Sequence, residues 1–167
     1  MKKVIVVLII SIVSVVFFIS NSSCSSPEEI MNDVLLELLT YDYDELNELK
    51  AENLSDYQKQ LMEKLQNNFT DQAFEKLNNY LGHFTSFNIY YQLRCSAEVV
   101  TIEYDIRELD TSTVVYYTVH LKLLYDDTNK EDEIIQLEGA VNLINEEKCY
   151  KIKSIQLNTR PIRNLEP

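Results

Sequence analysis

The sequence predicts an α+β domain in which three amphipathic helices pack on a curved four-stranded antiparallel sheet. Four runs of alternating apolar and polar residues follow one another between Val99 and Leu157, with short polar breaks between them. Three segments with helical periodicity come before these runs. The chain has only 3 Pro and 2 Gly in 167 residues, which argues against long linkers. One globular domain is therefore expected after a separate N-terminal segment.

The N-terminal segment is predicted to direct the chain to a membrane and not to belong to the fold. Two lysines precede an apolar stretch, Val4 to Ile19, that is interrupted only by serines. At about 16 residues this stretch is longer than most signal-peptide cores and shorter than the roughly 20 residues of a spanning helix. Its length alone does not separate a cleaved signal from a retained anchor.

The residues after this stretch, Ser22, Ser23 and Cys24, resemble the lipobox of bacterial lipoproteins. Asn21 departs from that pattern, because the family usually has Leu or another aliphatic residue there. The resemblance implies lipidation of Cys24, a signal peptide or membrane anchor in residues 1–24, and a domain of residues 25–167 on the extracytoplasmic face of the cell membrane. An uncleaved single-span anchor and ordinary signal cleavage are the alternatives.

The first helix is predicted to start at Ser26, which would act as N-cap, with Pro27 in the first turn and Glu29 closing a capping box. The acidic stretch from Tyr41 to Asn53 is predicted to be the frayed end of this helix and a loop. The buried face consists of Ile30, Val34, Leu35 and Leu38.

Two more helices are predicted, one capped by Ser55 with Gln58 and one capped by Thr70. The third helix is expected to stop at Gly82. The aromatic-rich segment His83 to Gln92 lacks a clean period and is predicted to be a mostly irregular connection with some strand. The buried stripes are Tyr57, Leu61 and Leu65 in the second helix, and Phe74, Leu77 and Leu81 in the third.

Each strand is predicted to turn one apolar face toward the helices. The fourth run changes phase after Ile152, and a bulge near Lys153 would restore its register. Polar turns at 109–112 and 145–148 and an acidic loop at 126–132 connect the strands as a meander. The predicted inward residues are Val100, Ile102, Tyr104 and Ile106; Val115, Tyr117, Val119, Leu121 and Leu123; and Ile135, Leu137, Val141 and Leu143.

The segment from Phe69 to Leu77, FTDQAFEKL, resembles the third helix of small bacterial members of the nuclear transport factor 2-like superfamily. The order of helices and strands between Pro27 and Leu157 also resembles this cone-shaped α+β fold, which ketosteroid isomerase and SnoaL-like cyclases share. The superfamily includes enzymes, small-molecule binders, components of conjugation machinery and immunity proteins. The resemblance therefore implies a fold but not an activity, and no family catalytic residue can be placed on this chain.

The sequence offers few candidate catalytic residues. Tyr104 and Tyr117 are the only polar side chains on the predicted inward faces, and they are the candidate pocket-lining residues. The nearby ionisable residues Glu103, Asp105, His120 and Glu138 fall in the outward register, so the sequence predicts no acid–base pair inside the cone.

No metal site, cofactor site or nucleic-acid interface is predicted. His83 and His120 lack metal-ligand spacing, and the acidic loop from Asp127 has Asp132 where a calcium loop requires glycine. The net charge of −12 repels phosphate backbones.

Two functions fit these observations. The first is a membrane-tethered, non-catalytic binding or assembly module whose partner is a protein or a small ligand. Its partly apolar outward sheet face would form a homodimer or partner surface. The second is a cone-pocket lyase or isomerase that uses Tyr104 or Tyr117 as a donor. The contact surface of the first function would be formed by the apolar residues of the outward sheet face, which are Val114, Tyr116, Ile134, Ala140 and Ile144.

The cysteine positions predict that Cys95 and Cys149 are not bonded to each other and that both are free. Cys95 precedes the first strand and Cys149 opens the fourth, which places them at opposite ends of a meander. Strands of about ten residues separate those ends by roughly 30 Å, beyond the reach of a disulfide.

Overall fold

The computed structural model describes residues 24–48, 54–81, 90, 92–127, 129–158 and 160–165. Its fold class is α+β, as predicted, with a four-stranded antiparallel sheet in the order β1-β2-β3-β4. The predicted N-terminal segment up to Ser23 lies outside the described residues. The helices are α1 (Pro27–Leu39), α2 (Tyr43–Glu48), α3 (Leu54–Leu65), α4 (Asp71–Leu81) and α5 (Arg160–Arg163). The strands are β1 (Cys95–Glu108), β2 (Thr113–Tyr125), β3 (Glu133–Glu146) and β4 (Cys149–Leu157).

Helix α1 starts with the predicted capping box. The Glu29 backbone N–H donates to Ser26 Oγ at 3.2 Å, and the Ser26 backbone N–H donates to Glu29 Oε2 at 2.8 Å. These two bonds satisfy backbone donors that have no partner inside the helix. The buried face of α1 contains the predicted residues together with two neighbours: Ile30, Met31, Val34, Leu35, Leu38 and Leu39.

The segment after α1 differs from the predicted frayed end and loop. The Tyr41 backbone N–H donates to the Ala97 carbonyl at 2.8 Å, and the Ala97 N–H donates back to the Tyr41 carbonyl at 2.8 Å. Asp42 Oδ1 then accepts from the backbone N–H groups of Asp44 and Glu45, which starts α2. The prediction is wrong for Tyr41–Glu48 because the ordering contact comes from β1, about fifty residues away in the chain. Residues 49–53 lie outside the described residues.

Helices α3 and α4 bury Leu61, Leu65 and Leu77 of the predicted stripes and half-bury Tyr57 and Phe74, with one change at a helix start. The side chain of Leu81 lies outside the described residues. Helix α3 begins at Leu54, so Ser55 lies inside its first turn and not at the predicted N-cap. Thr70 Oγ1 accepts from the Ala73 N–H at 3.3 Å, as expected of the cap of α4. The predicted stop at Gly82 and most of the segment from His83 to Gln92 lie outside the described residues. Within that segment Tyr90 and Gln92 are helical, where the sequence predicts an irregular connection with some strand.

The inward face of the sheet forms the core with the helices. Fully buried residues come from all four strands, and Phe69 and Thr70 reach β4 through a parallel bridge to Ile152. In β4 the pairing moves from Leu143–Ile152 to Asn142–Ser154, which leaves Lys153 as the extra residue. The predicted bulge near Lys153 is therefore confirmed. The inward residues of β2 are Val115, Tyr117, Val119, Leu121 and Leu123.

Strand β1 is longer than predicted and contains a second bulge. It begins at Cys95, and its pairing moves from Val99–Leu121 to Thr101–His120. Val100 is the unpaired residue and is 51% exposed, so the prediction that it points inward is wrong. Because a bulge shifts the two-residue period by one, Ala97 and Val99 face the core before it and Ile102 faces the core after it.

The strand connections define two ends of the sheet. The turn end contains the β1–β2 turn at 109–112 and the β3–β4 turn at 147–148, and the loop end contains the β2–β3 connection at 126–132. Helix α1 starts near the turn end, because Tyr104 in the second half of β1 contacts Asn32, and it finishes at the loop end, where Tyr41 pairs with Ala97. Among the helices that the structure describes, none is long and apolar enough to cross a membrane.

Candidate functional site

A shallow depression of about 300 Å³ lies on the sheet at the centre of β1, β2 and β3. It brings together the two predicted pocket-lining tyrosines and three of the four ionisable residues that were predicted to face outward, without His120. Most small-molecule sites bury the larger part of their ligand's surface. This depression is open to solvent and would leave much of a small molecule exposed. The lining residues are Glu103, Tyr104, Asp105, Tyr116, Tyr117, Thr118, Glu138 and Gly139.

Tyr117 uses its ring and its hydroxyl for packing. It pairs with Gly139 across β2 and β3, and a Cβ at Gly139 would collide with the Tyr117 ring and with the Gln156 carbonyl. The Tyr117 hydroxyl donates to the Gln156 carbonyl oxygen at 2.9 Å. Burial raises the pKa of Tyr117 above that of an exposed tyrosine. The glycine therefore gives the ring room to cross β3, and the hydroxyl is held as a structural donor.

Tyr104 connects the sheet to α1. Its hydroxyl donates to Asn32 Oδ1 at 2.7 Å. Partial burial, with a smaller contribution from the negative charge of Glu28, raises the pKa of Tyr104 to about 12. A phenol with a raised pKa is a weaker acid and a poorer proton donor. The hydrogen bond to Asn32 and the raised pKa therefore both indicate that Tyr104 stabilises the contact between α1 and the sheet.

The carboxylates around the depression point to solvent, in the register predicted for them. Glu103 and Glu138 are exposed, and Asp105 accepts two bonds from the Arg107 guanidinium, at 2.7 and 3.1 Å. In the part of the chain that the structure describes, no Asp or Glu is buried. An exposed carboxylate lacks the water-excluded setting that a catalytic base uses.

His120 and the acidic loop, which were considered for metal binding, have protein partners of their own, and His83 lies outside the described residues. His120 Nδ1 lies 3.0 Å from Thr101 Oγ1 across β1 and β2. In the acidic loop, Asp127 Oδ1 accepts from the Asn129 backbone N–H and side-chain amide, which forms a local turn. Across the described residues no three His, Cys, Asp or Glu side chains are grouped in a way that could hold a metal ion.

The outward face of the sheet carries large exposed apolar side chains beside charged ones. Tyr116 is 44% exposed and Ile134 is 60% exposed. The Arg107 guanidinium lies 4.8 Å from the centre of the Tyr116 ring, an aromatic–cation contact at the surface. Half-buried Val114, Ala140 and Ile144 share this face. The face therefore has the mixed apolar and charged composition of protein contact surfaces.

The cysteines have a different arrangement from the predicted one. Cys95 is buried and free, and it is not bonded to Cys149, as predicted. The prediction that Cys149 is also free is wrong, because Cys149 forms a disulfide with Cys24. Lipidation of Cys24 would use the same sulfur atom, so the lipid and this disulfide exclude each other on one molecule. Without a lipid on Cys24 the chain has three cysteines, an odd count that allows one pair and one free thiol but does not identify which two residues pair.

Comparison of the sequence alone with known proteins gave no relative. No protein-family model matches the chain, and no curated protein matches it.

Comparison of the structure with solved proteins found similar ones. An IcmL-like type IV secretion system protein from Legionella pneumophila subsp. pneumophila matches with a TM-score of 0.51 and 11% identity over 81% of this chain and 94% of that one. CagV, a VirB8 homolog from the type IV secretion system of Helicobacter pylori strain 26695, matches with a TM-score of 0.47 and 15% identity over 77% and 93%. An Ntf2-like protein involved in plasmid conjugation matches with a TM-score of 0.45 and 6% identity over 80% and 48%. The chain has a nuclear transport factor 2-like fold, as its sequence predicted.

Proposed function

We propose that this protein, with its nuclear transport factor 2-like fold, is a membrane-tethered extracytoplasmic assembly module without catalytic activity. It binds a protein partner through the outward face of its sheet. The observation that carries this proposal is the contrast between the two faces. The Tyr117 ring and the core residues fill the inward face, whereas Tyr116 and Ile134 are exposed on the outward face without any covering element among the described residues.

The comparison with known structures supports an assembly role in a limited way. The IcmL-like protein is a type IV secretion system protein, so the fold of this chain also occurs in a protein of a secretion system. At 11% identity the likeness extends to the fold and not to particular partners. The choice of the outward face as the contact surface therefore rests on the side chains of this protein.

The tether in this proposal is the N-terminal segment. Lys2, Lys3 and the apolar stretch from Val4 to Ile19 would bring the chain to the membrane, with the domain on the extracytoplasmic side. Either a lipid on Cys24 or retention of the apolar stretch as a membrane span would hold the domain there. A disulfide in the domain supports an oxidising, extracytoplasmic location, because disulfides are rare in reducing compartments.

The charge of the outward face bears on the kind of partner. Glu103 and Glu138 flank the depression, and the whole chain has a net charge of −12. In a two-fold homodimer through this face the same patch would meet itself, so these carboxylates would approach their own copies. A partner with basic residues around an apolar centre fits the face better, and a homodimer is the competing arrangement.

The test is photocrosslinking in intact membranes with a benzophenone amino acid at single positions. The probe replaces Tyr116 or Ile134 on the outward face, and in matched controls it replaces the exposed Glu63 on α3 or Glu75 on α4. We expect a discrete adduct from the two sheet positions and none from the helix positions. An adduct with the mass of two copies would identify the homodimer. Adducts from the helix positions alone would contradict the proposed surface.

The cone-pocket lyase or isomerase receives less support from the geometry. The Tyr104 and Tyr117 hydroxyls donate to Asn32 and Gln156, and burial raises both pKa values. A donor for catalysis would have to leave these bonds before it could reach a substrate. No observation on the described residues favours this second function.

A further inference from the structure

We propose that the Cys24 sulfur is held in a disulfide and carries no lipid, and that this disulfide orients the domain with the turn end of its sheet toward the membrane. The anchor is then the retained apolar stretch from Val4 to Ile19. This inference rests on the proposed membrane tethering for its orientation. The bond itself stands on the geometry of the domain alone.

The fold brings the two cysteines together. The Cα atoms of Cys24 and Cys149 are 5.0 Å apart across a sequence separation of 125 residues, within the range that disulfides span. Each cysteine is positioned by an independent local structure. Cys24 lies two residues before Ser26, which the capping box fixes on α1. Cys149 follows the tight turn at Glu147 and Lys148, both of which have positive φ.

The lipid and the disulfide compete for the same Cys24 sulfur. Lipidation of a cysteine makes a thioether at its sulfur, and a sulfur that is bonded to another sulfur has no thiol left to react. The disulfide forms when the two thiols lose two protons and two electrons. The electrons pass to the disulfide of an extracytoplasmic thiol oxidoreductase, which becomes a dithiol. One molecule can therefore carry the lipid or the bond.

The third cysteine does not compete for this pair. Cys95 starts β1 at the loop end, whereas Cys149 starts β4 at the turn end. The Cys95 side chain is buried, and burial raises the pKa of its thiol to about 11. Thiol–disulfide exchange requires an accessible thiolate, so the native protein keeps the Cys24–Cys149 pairing.

The position of the bond determines the orientation. Only residues 20–23 separate Ile19 from Cys24, and five Cα steps span at most about 18 Å. Without the bond, the residues before Ser26 could turn away from the sheet. With it, Cys24 is fixed beside the β3–β4 turn, so the turn end faces the bilayer. The loop end lies about 40 Å farther out, the length of a strand of 13 residues.

The charge at the turn end affects how the domain stands on the membrane. Glu108, Asp110, Glu146 and Glu147 lie there and outnumber the basic neighbours Arg107, Lys148 and Lys151. An acidic surface is repelled by anionic lipid headgroups within a Debye length. The domain therefore stands off the bilayer on its short tether and leaves the outward sheet face accessible.

Thiol counting on the full-length protein tests the bond. Cells are quenched in acid, and the membrane protein is unfolded in detergent and treated with a maleimide–polyethylene glycol reagent, with and without prior reduction. The chain has 3 Cys. We expect one labelled thiol before reduction, from Cys95, and three after it. If Cys24 carries a lipid, two thiols (Cys95 and Cys149) should be labelled both before and after reduction, and that result would overturn the proposal. Three before reduction would also overturn it.

Single cysteine variants make the count specific. Cys149→Ser should give two labelled thiols with or without reduction, whereas a lipid on Cys24 would leave one. Cys95→Ser should give none before reduction and two after. The mass of the membrane-extracted protein should include residues 1–23. If the bond forms but the protein is soluble and lacks residues 1–23, the disulfide stands, and the orientation and the proposed tether both fail.

Depth measurements test the orientation. A fluorophore is attached at Thr111→Cys in the β1–β2 turn or at Glu131→Cys in the loop, both exposed sites, in the Cys95→Ser background in lipid vesicles. Spin-labelled headgroups should quench the Thr111 probe at least three times as strongly as the Glu131 probe. Replacing both Cys24 and Cys149 with Ser, so that no second thiol takes the fluorophore, should reduce this ratio toward one. Equal quenching of both probes with the disulfide intact would overturn the orientation.

Discussion

Tyr116 and Tyr117 are adjacent residues of β2 with the same side chain and opposite roles. Tyr117 is 3% exposed, and its hydroxyl bonds to the Gln156 carbonyl at 2.9 Å inside the domain. Tyr116 is 44% exposed, and its ring contacts the Arg107 guanidinium at the surface. Because successive residues of a strand point to opposite faces, position in the strand decides which tyrosine stabilises the fold and which is available to a partner.

The same contrast extends along the strand. The inward residues Val115, Val119 and Leu121 are fully buried, whereas the outward residues Thr118, His120 and Lys122 are only half-buried. A change on the inward face should therefore cost folding free energy, and a change on the outward face should affect binding. Four substitutions test this difference.

The largest effect is expected for Leu121→Ala on the inward face. Leu121 is fully buried, and removing a buried leucine side chain lowers the free energy of unfolding by about 2–5 kcal/mol through lost burial and a residual cavity. The control is Lys122→Ala on the outward face, whose ion pair with Asp132 at 3.0 Å is partly exposed and contributes about 1 kcal/mol or less. Chemical denaturation measures both. Equal losses would refute the assignment of the two faces.

Gly139→Ala should be next, with a loss of about 1–3 kcal/mol from overpacking. The added methyl group would collide with the Tyr117 ring and with the Gln156 carbonyl. Replacing Tyr117 with Leu should reduce the penalty of the alanine, because part of the collision is removed. Urea unfolding of the two single variants and the double variant gives the coupling. Fully additive losses would show that the ring does not depend on the glycine.

Tyr117→Phe should cost about 1 kcal/mol, because it keeps the ring and leaves the Gln156 carbonyl without its hydroxyl donor. The matched control is Tyr104→Phe, which removes the more exposed bond to Asn32 and should cost less. Thermal unfolding of the two variants compares these hydroxyls directly. A larger loss of stability for Tyr104→Phe would show that the Tyr104–Asn32 hydrogen bond contributes more than the Tyr117–Gln156 hydrogen bond.

Tyr116→Ser should have the smallest effect on stability, about 0.5–1 kcal/mol from the lost contact with Arg107. Its effect on binding should be larger: the yield of the partner adduct from a photoprobe at Ile134 should fall several-fold. Glu75→Ser on α4 is the control and should leave the adduct unchanged. An undiminished adduct in the Tyr116→Ser protein would remove this tyrosine from the contact surface.

The sequence by itself determined the features that depend on local periodicity and capping. The capping box at Ser26, the cap at Thr70 and the inward phase of β2 and β3 agree with the structure. The bulge at Lys153 was also predictable, because an interrupted two-residue period has one simple repair in a half-buried strand. These features depend on neighbours within a few residues, which the sequence displays directly.

Only the tertiary structure decided the features that depend on distant partners. The Tyr41–Ala97 bridge orders a segment whose own residues read as a loop, and the bulge at Val100 follows from the pairing of β1 with β2. The Cys24–Cys149 disulfide joins residues 125 positions apart, and Gly139 is required by the Tyr117 ring across the ladder. Such contacts depend on the path of the whole chain, so the residues at either end carry no local pattern that identifies the other.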